Sequence, residues 1–253
     1  MFYFSLPVVT CYSLLNYFVF SGRFMKLIFL EEVDSTNEYL KRVEFCHGLC
    51  VVAEKQTGGK GRRGKKWISE KGKGLYVSFM FSPISYQIAS LSSLAFGVAV
   101  LNVLKTLDKR FYLKWPNDIY INGKKISGIL PELLSDRLII GIGINLNYTR
   151  DELSSLEVPA TSLFAEKIPF DKHSILDKLI LEVENYYELL KKKAFNVKEF
   201  EKNCPLIGKE VSVIEEHKQF NGIALGIDTN GCLVVEVEGK IRRLFSGNVS
   251  IRL

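Results

Sequence analysis

Residues 114–132 read KWPNDIYINGKKISGILPE, which sets three lysines, an Asn-Asp pair and two turn signals among short apolar runs. Residues 113–115 and 119–121 have the composition of short strands, and Asn122-Gly123 is a strong hairpin signal. Such a hairpin returns Lys124 and Lys125 antiparallel to its first arm. Gly128 then falls where a ligand can come close to the backbone. Cations beside an open backbone suit an anionic ligand. Taken alone, a solvated turn with surface lysines explains the same residues.

A second segment, QTGGKGRRGKKWIS at 56–69, holds four glycines, five basic residues and a tryptophan. Gly58, Gly59, Gly61 and Gly64 free the backbone for positive φ and let it wrap an anion. Lys60, Arg62, Arg63, Lys65 and Lys66 supply charge, and an arginine fork grips carboxylate or phosphate at two points. The GxxxxGK[ST] order of a Walker loop is absent. A disordered basic loop that binds nucleic acid is the plainer alternative. Trp67 and the strand-like run at 75–81 argue instead for a loop anchored to a sheet. Upstream, EEVDSTNEYL at 31–40 precedes a helical pattern. Ser35 and Glu38 have the capping-box spacing, while Ser35, Thr36 and Asn37 also offer hydroxyl and amide groups to a urea-like or amide ligand.

In order, DSTN, Q-x-x-G-x-G-R-x-G-x-x-W-x-S and KWPND…G-K-K-x-x-G-I-L-x-E resemble the biotin protein ligase family. GIGINLN at 141–147 is similar to the family's GIGIN strand. Gly226-Ile227-Asp228 and SGNVSIR at 246–252 resemble its small C-terminal domain. The resemblance runs from about Lys26 to the end. It implies a short form without an N-terminal DNA-binding domain.

The implied fold is α+β. A mixed central β-sheet with helices, like the catalytic fold shared by class II aminoacyl-tRNA synthetases and biotin ligases, is followed by a small SH3-like β-barrel. The implied reaction has two steps: ATP-dependent formation of biotinyl-5′-AMP, then transfer of biotin to a lysine of a biotin carboxyl carrier protein, the acetyl-CoA carboxylase subunit. ATP, Mg²⁺ and biotin come with that reading. Residue by residue, Ser35, Thr36 and Asn37 match the biotin-contacting run. Gln56 precedes the loop, Lys60-Gly61-Arg62 form its core, and Lys125 matches the lysine that reaches carboxylate and phosphate. Lys125 and Arg62 are the catalytic pair implied, as electrostatic catalyst and as clamp on the intermediate. Lys114 and Asn117 match positions near the nucleotide and its metal; Trp67, Gly128 and Asn145 match positions on the ATP side. No particular metal ligands are implied. Two departures stand out: Lys60 where the family usually has arginine, which keeps charge but loses the fork, and Asn248 where it usually has an acid.

At 253 residues and 47% hydrophobic content, the chain suits a large domain plus a small one, with bounds expected at 25–204 and 205–253. A net charge of +6 suits anionic ligands or an acidic partner. Five cysteines without paired spacing point to reduced thiols and a cytoplasmic location. Residues 1–24 are apolar, interrupted by Pro7 and Asn16, and lack the early positive charge of a signal peptide. Met25 is the expected start, with 1–24 an upstream extension. No membrane or DNA partner is expected; a homodimer is compatible with the resemblance.

The positioning elements follow. Residues 86–107 read as one long buried helix, 137–146 as a strand, and 176–193 as an amphipathic helix. From Gly208 on, short β-rich runs alternate with turns expected at Gly222, Asn230-Gly231 and Glu238-Gly239. Two readings compete with biotin ligation. One is a lipoate or octanoate ligase with the same adenylation logic. The other is a non-catalytic biotin-responsive regulator, which would need a DNA-reading element.

Overall fold

The computed structural model describes residues 16–20, 23–154, 156, 158–215, 218–245 and 248–251. Strands β1 (Asn16–Phe20), β2 (Arg23–Val33), β3 (Leu49–Gln56), β4 (Gly74–Phe81), β5 (Tyr112–Lys114), β6 (Asp118–Ile121), β7 (Lys124–Leu133) and β8 (Leu138–Asn145) form one sheet. Its order is β1-β2-β3-β4-β8-β7-β6-β5. Only β2 and β3 run parallel; the crossover between them carries helix α1 (Thr36–Arg42). Part of the segment expected to be an extension thus pairs with β2 at the sheet edge; residues 1–15 lie outside the described residues.

Strand side chains alternate faces, and the two faces have different work. Cys50, Val52, Phe79, Phe81, Ile129, Ile140 and Ile142 point into the main core, which is completed by α3 (Ser92–Lys105) and α5 (Lys172–Lys191). Val51, Ala53, Met80 and Ile139 point the other way, into a smaller cluster under Leu40 of α1. Ser78, Gly128, Gly141 and Gly143 share the parity of that second face. Three of these four have no side chain, which leaves a trough beside α1.

The expected helix over 86–107 is broken: α2 (Tyr86–Ala89) stops before Leu91, and α3 restarts at Ser92. Ser90 and the wholly buried Ser92 let the chain turn from an exposed ramp into the core. Helix α5 starts earlier than expected, because Asp171 caps it by accepting from Ser174 N at 2.8 Å. Ile175, Leu179, Val183, Tyr186, Tyr187 and Leu190 form its buried stripe. Cys46, Cys50, Cys204 and Cys232 are free thiols. No helix among the described residues is long and apolar enough to cross a membrane.

The short helices α4 (Arg150–Leu153) and α6 (Lys198–Glu201) flank α5 in sequence. A second antiparallel sheet follows: β9 (Glu210–Glu215), β10 (Lys218–Ile227), β11 (Leu233–Val237), β12 (Lys240–Leu244) and β13 (Asn248–Ile251), ordered β12-β11-β10-β9-β13. Turns occur at Asn230-Gly231 and Glu238-Gly239 as expected, with Glu238 at φ 51° and both glycines also at positive φ. Gly222 is no turn; it lies inside β10, where a Cβ would sit 2.6 Å from Val235 Cγ1. The side chain of Asn248 lies outside the described residues. Glu201 Oε1 accepts from Ile227 N at 2.6 Å, and Trp115 Nε1 donates to Gly231 O at 3.0 Å, so the small sheet is tied to the large one.

Candidate active site

The trough opens into a cavity of about 920 Å³. The residues that the family resemblance assigns to the site all line it: Ser35, Thr36, Asn37, Gln56, Lys60, Gly61, Arg62, Trp67, Lys114, Asn117, Lys125, Gly128 and Asn145. Three elements deliver them. The start of α1 brings Ser35, Thr36 and Asn37, each less than a twentieth exposed. Ser35 occupies the N-cap position, but its side chain makes no cap bond, contrary to the capping-box expectation. Glu38, which should close that box, is drawn off by two cations: Lys41 and Lys60, each at 2.8 Å. A complete capping box does exist at Thr149 and Glu152, at the start of α4.

The basic loop doubles back on itself rather than lying open. Trp67 N donates to Gly59 O, Gly61 N to Lys65 O, and Lys60 bridges Lys66. Of its four glycines only Gly64 takes positive φ (73°), preceded by Arg63 at 55°. Gly59 serves another purpose: a Cβ there would meet the Trp67 carbonyl and come within 2.8 Å of Ser69 Oγ. The loop base is pinned where Tyr148 Oη donates to Ile68 O at 3.2 Å. Trp67 lies across the floor, and a Cβ on Gly143 would fall 2.5 Å from its indole. Its Nε1 is buried and without a hydrogen-bond partner among the described residues.

The Lys-Trp-Pro-Asn hairpin closes the third side. Asn122 (φ 49°) and Gly123 (φ 75°) make the tight turn expected of them. Arg62 reaches across from the loop, its Nη1 donating to Asn117 Oδ1 at 3.2 Å, while Asn117 Nδ2 donates to Ile129 O. Lys125 Nζ lies 2.6 Å from Asp118 Oδ1 and 5.3 Å from the Trp67 ring centroid. The Lys125 backbone is fixed by the neighbouring segment, its N–H donating to Pro159 O and its carbonyl accepting from Thr161 N. Asn145 Nδ2 donates to Thr161 O, which ties β8 to the same segment.

Cations are therefore concentrated and partly dehydrated. Burial holds the Lys114 ammonium below the usual lysine pKa, with Asp118 opposing and Lys125 adding to the shift. Arg62 is likewise lowered, first by burial; Asp118 opposes and Arg63 adds. An arginine remains charged regardless. An anion entering here meets positive groups that water does not fully screen.

Sequence reasoning assigned no role to Asp118, although it sits within the quoted motif, nor to Glu132. It also missed Ser78, whose hydroxyl is 2.6 Å from both Thr36 Oγ1 and Asn37 Oδ1. Gly141 makes room for Asn37, because a Cβ there would collide with its amide. Among the described residues no group of three or more His, Cys, Asp or Glu could hold a metal. Asp118 is the acidic side chain on the cavity wall, with Asn117 beside it. That donor set fits Mg²⁺ brought in on phosphate oxygens, which needs few protein ligands.

The biotin/lipoate A/B protein ligase family model matches residues 29–147, and the biotin protein ligase C terminal domain model matches residues 206–252. The bifunctional ligase/repressor BirA of Escherichia coli is 34% identical over 234 residues, spanning 88% of this chain and 73% of its own length. The biotin–[acetyl-CoA-carboxylase] ligase of Mycobacterium tuberculosis is 28% identical over 213 residues, with coverage of 80% and 78%. A solved biotin protein ligase from Aquifex aeolicus, in complex with biotin and ATP, matches with a TM-score of 0.77 at 35% identity, covering 89% of this chain and 98% of its own. The order of motifs, the shared sheet and the relatives agree: the chain belongs to the biotin protein ligase family.

Proposed function

We propose that this chain joins biotin to a lysine of a biotin carboxyl carrier protein, with ATP as the activating substrate. One observation carries the reading. Arg62, Lys114 and Lys125 converge on the cavity that also contains the buried polar cluster of Ser35, Thr36, Asn37 and Gln56. A carboxylate and a triphosphate repel each other, and three cations fixed at their meeting point offset that repulsion. The carboxylate oxygen attacks the α-phosphorus, the bond to the bridging oxygen breaks, and pyrophosphate leaves. The neutral amine of the acceptor lysine then attacks the acyl carbon, and AMP leaves with the former carboxylate oxygen.

Each residue has a part in this. Lys125, held by Asp118 and the 159–161 segment, stabilises charge developing on the phosphoryl oxygens. Arg62 clamps the anhydride against the hairpin through its reach to Asn117. The loop that carries Arg62 screens the intermediate from water. Trp67, with its unpartnered indole N–H, Lys114 and Asn145 line the nucleotide side. Magnesium, carried in with ATP and contacted by Asp118 and Asn117, would neutralise phosphate charge. The catalytic unit comprises residues 25–204, with the edge strand β1 and the start of β2 added to its sheet, and 205–253 form the small C-terminal one; the setting is the cytoplasm, without DNA or membrane partners.

The test is mass spectrometry of a carrier domain incubated with the purified chain, ATP, magnesium and biotin. A gain of one biotinyl group on its acceptor lysine is expected. Modification with lipoate but not biotin would replace this reading by the lipoate one.

A further inference from the structure

The arm that carries Lys125 projects beyond the body of the sheet. Ser127 is paired with Ile144, and β8 ends one residue later at Asn145, so β8 offers no paired residue to Lys124, Lys125 or Ile126. Residues 159–161 take over that edge. Ala160 forms a parallel bridge with Lys125, whose N–H donates to Pro159 O at 2.9 Å and whose carbonyl accepts from Thr161 N at 2.8 Å. Two bonds beside the tip of a two-stranded ribbon are a weak hold on a side chain that must be placed accurately.

Glu166 reinforces that hold from outside. Its Oε1 accepts from Thr161 Oγ1 at 2.7 Å, and its Oε2 accepts from Asn122 Nδ2 at 2.7 Å. One carboxylate thus joins the hairpin tip to the segment that pairs with Lys125, through bonds strengthened by its charge. Thr161 is buried, and its carbonyl also receives Asn145 Nδ2 at 3.0 Å. The Thr161 end is therefore fixed to the core, and the exposed tip is the end that gains from the link. Asn122 has two tasks: its backbone makes the turn at φ 49°, and its amide is the handle that Glu166 grips. Glu166, Asn122 and Thr161 all lie off the cavity wall, so their influence on the reaction passes through the elements they hold.

We propose that Glu166 is a positioning residue, which braces the hairpin tip against Thr161 and so holds the Lys125 ammonium at the reacting centre. The inference rests on the ligase reading and deepens it. Three substitutions separate the brace from the charge and from the turn. Glu166→Ala removes both bonds. Glu166→Gln removes the charge but keeps the link: its oxygen accepts from Asn122, and its N–H donates to the Thr161 hydroxyl, which serves as donor or acceptor. Asn122→Gly keeps the turn, since glycine takes positive φ without strain, and removes only the handle.

Pyrophosphate release by the full chain, followed under single-turnover conditions with saturating biotin and ATP, reads the step that Lys125 serves. Glu166→Ala should slow it about fivefold to thirtyfold, less than loss of the ammonium itself, because Lys125 is displaced and not removed. Asn122→Gly should also slow it, and the double variant should be no slower than Glu166→Ala, since both break one link. Glu166→Gln should stay within about twofold of wild type. Placed in a Lys125→Met background, Glu166→Ala should cost nothing further, whereas a general loosening of the fold would slow that variant again. Amide hydrogen exchange supplies a readout apart from activity: the Lys125 N–H should exchange faster in Glu166→Ala, with helix α5 unchanged. A Glu166→Ala rate within about twofold of wild type, a Glu166→Gln as slow as Glu166→Ala, or a further loss in the Lys125→Met background would overturn the proposal. Should Glu166→Ala not fold, Asn122→Gly decides: an unchanged rate overturns it, and a loss that vanishes in Lys125→Met supports it. Failure of the wild-type chain to release pyrophosphate with biotin would instead remove the ligase reading, while the exchange at Lys125 would still report on the brace.

Discussion

Lys125→Met keeps most of the aliphatic stem over Gly128 and removes the charge. In the structure Nζ sits 2.6 Å from Asp118, and the two side chains are 22% and 21% exposed. At an effective dielectric near 20, a unit charge about 4 Å from a phosphoryl oxygen is worth about 4 kcal/mol. Asp118 cancels part of that, and only the share that grows as charge develops changes the rate. Removal of one preorganised donor of this kind lowers rates by about 10²–10³-fold, which is the loss expected for adenylate formation here. The stability cost should be smaller, between the roughly 1 kcal/mol of an exposed pair and the roughly 3 kcal/mol of a buried one. Rapid-quench measurement of pyrophosphate release under single-turnover conditions gives the chemical step directly, and a thermal melt confirms folding. A folded Lys125→Met whose release rate stays within about threefold of wild type would refute the electrostatic role.

Other substitutions probe the remaining walls. Arg62→Gly should still form the adenylate but release it, so that biotin appears on bystander proteins; labelling confined to the carrier domain on a blot would contradict the clamp. Gly143→Ala puts a methyl group 2.5 Å from the Trp67 indole. Displacing the ring should cost about 1–3 kcal/mol of stability and weaken ATP more than biotin, measured by melting and by KM for each. Because burial lowers the Lys114 pKa, its charge is lost before that of a free lysine as pH rises. Nucleotide affinity should therefore fall from the alkaline side earlier than ordinary lysine titration predicts, and Lys114→Met should flatten that limb in a binding titration. The stability sign is opposite: the penalty of burying the ammonium is present at neutral pH and is relieved as pH climbs through the folded pKa.

Much of this was legible because backbone chemistry leaves strong local marks. Asn122-Gly123 specifies its turn with little help from the rest of the chain. The motif glycines announce close approaches, although which approach each serves needed the structure: Gly59 yields to Trp67, Gly141 to Asn37 and Gly143 to the indole. Ser78 was hidden for a physical reason. It is one small polar residue in the wholly buried strand GLYVSFMF, where apolar neighbours mask it and its partners come from 41 and 42 positions away. The capping box at Ser35 failed because Glu38 has stronger partners in Lys41 and Lys60, a competition between charges that spacing alone does not reveal. The break at Ser90 was invisible to a hydrophobic count, since apolar residues lie on both sides of it.

The indole of Trp115 reaches past its own hairpin to a carbonyl in the β-turn at Gly231. The two residues before Asn117 therefore take part of their bearing from a module added late in the chain. Sequence drift in that remote turn can retune the reaction without touching any group that meets a reactant. It also means that the small module and the lysine-bearing arm should open together, as one cooperative step, when amide hydrogen exchange is followed under native conditions.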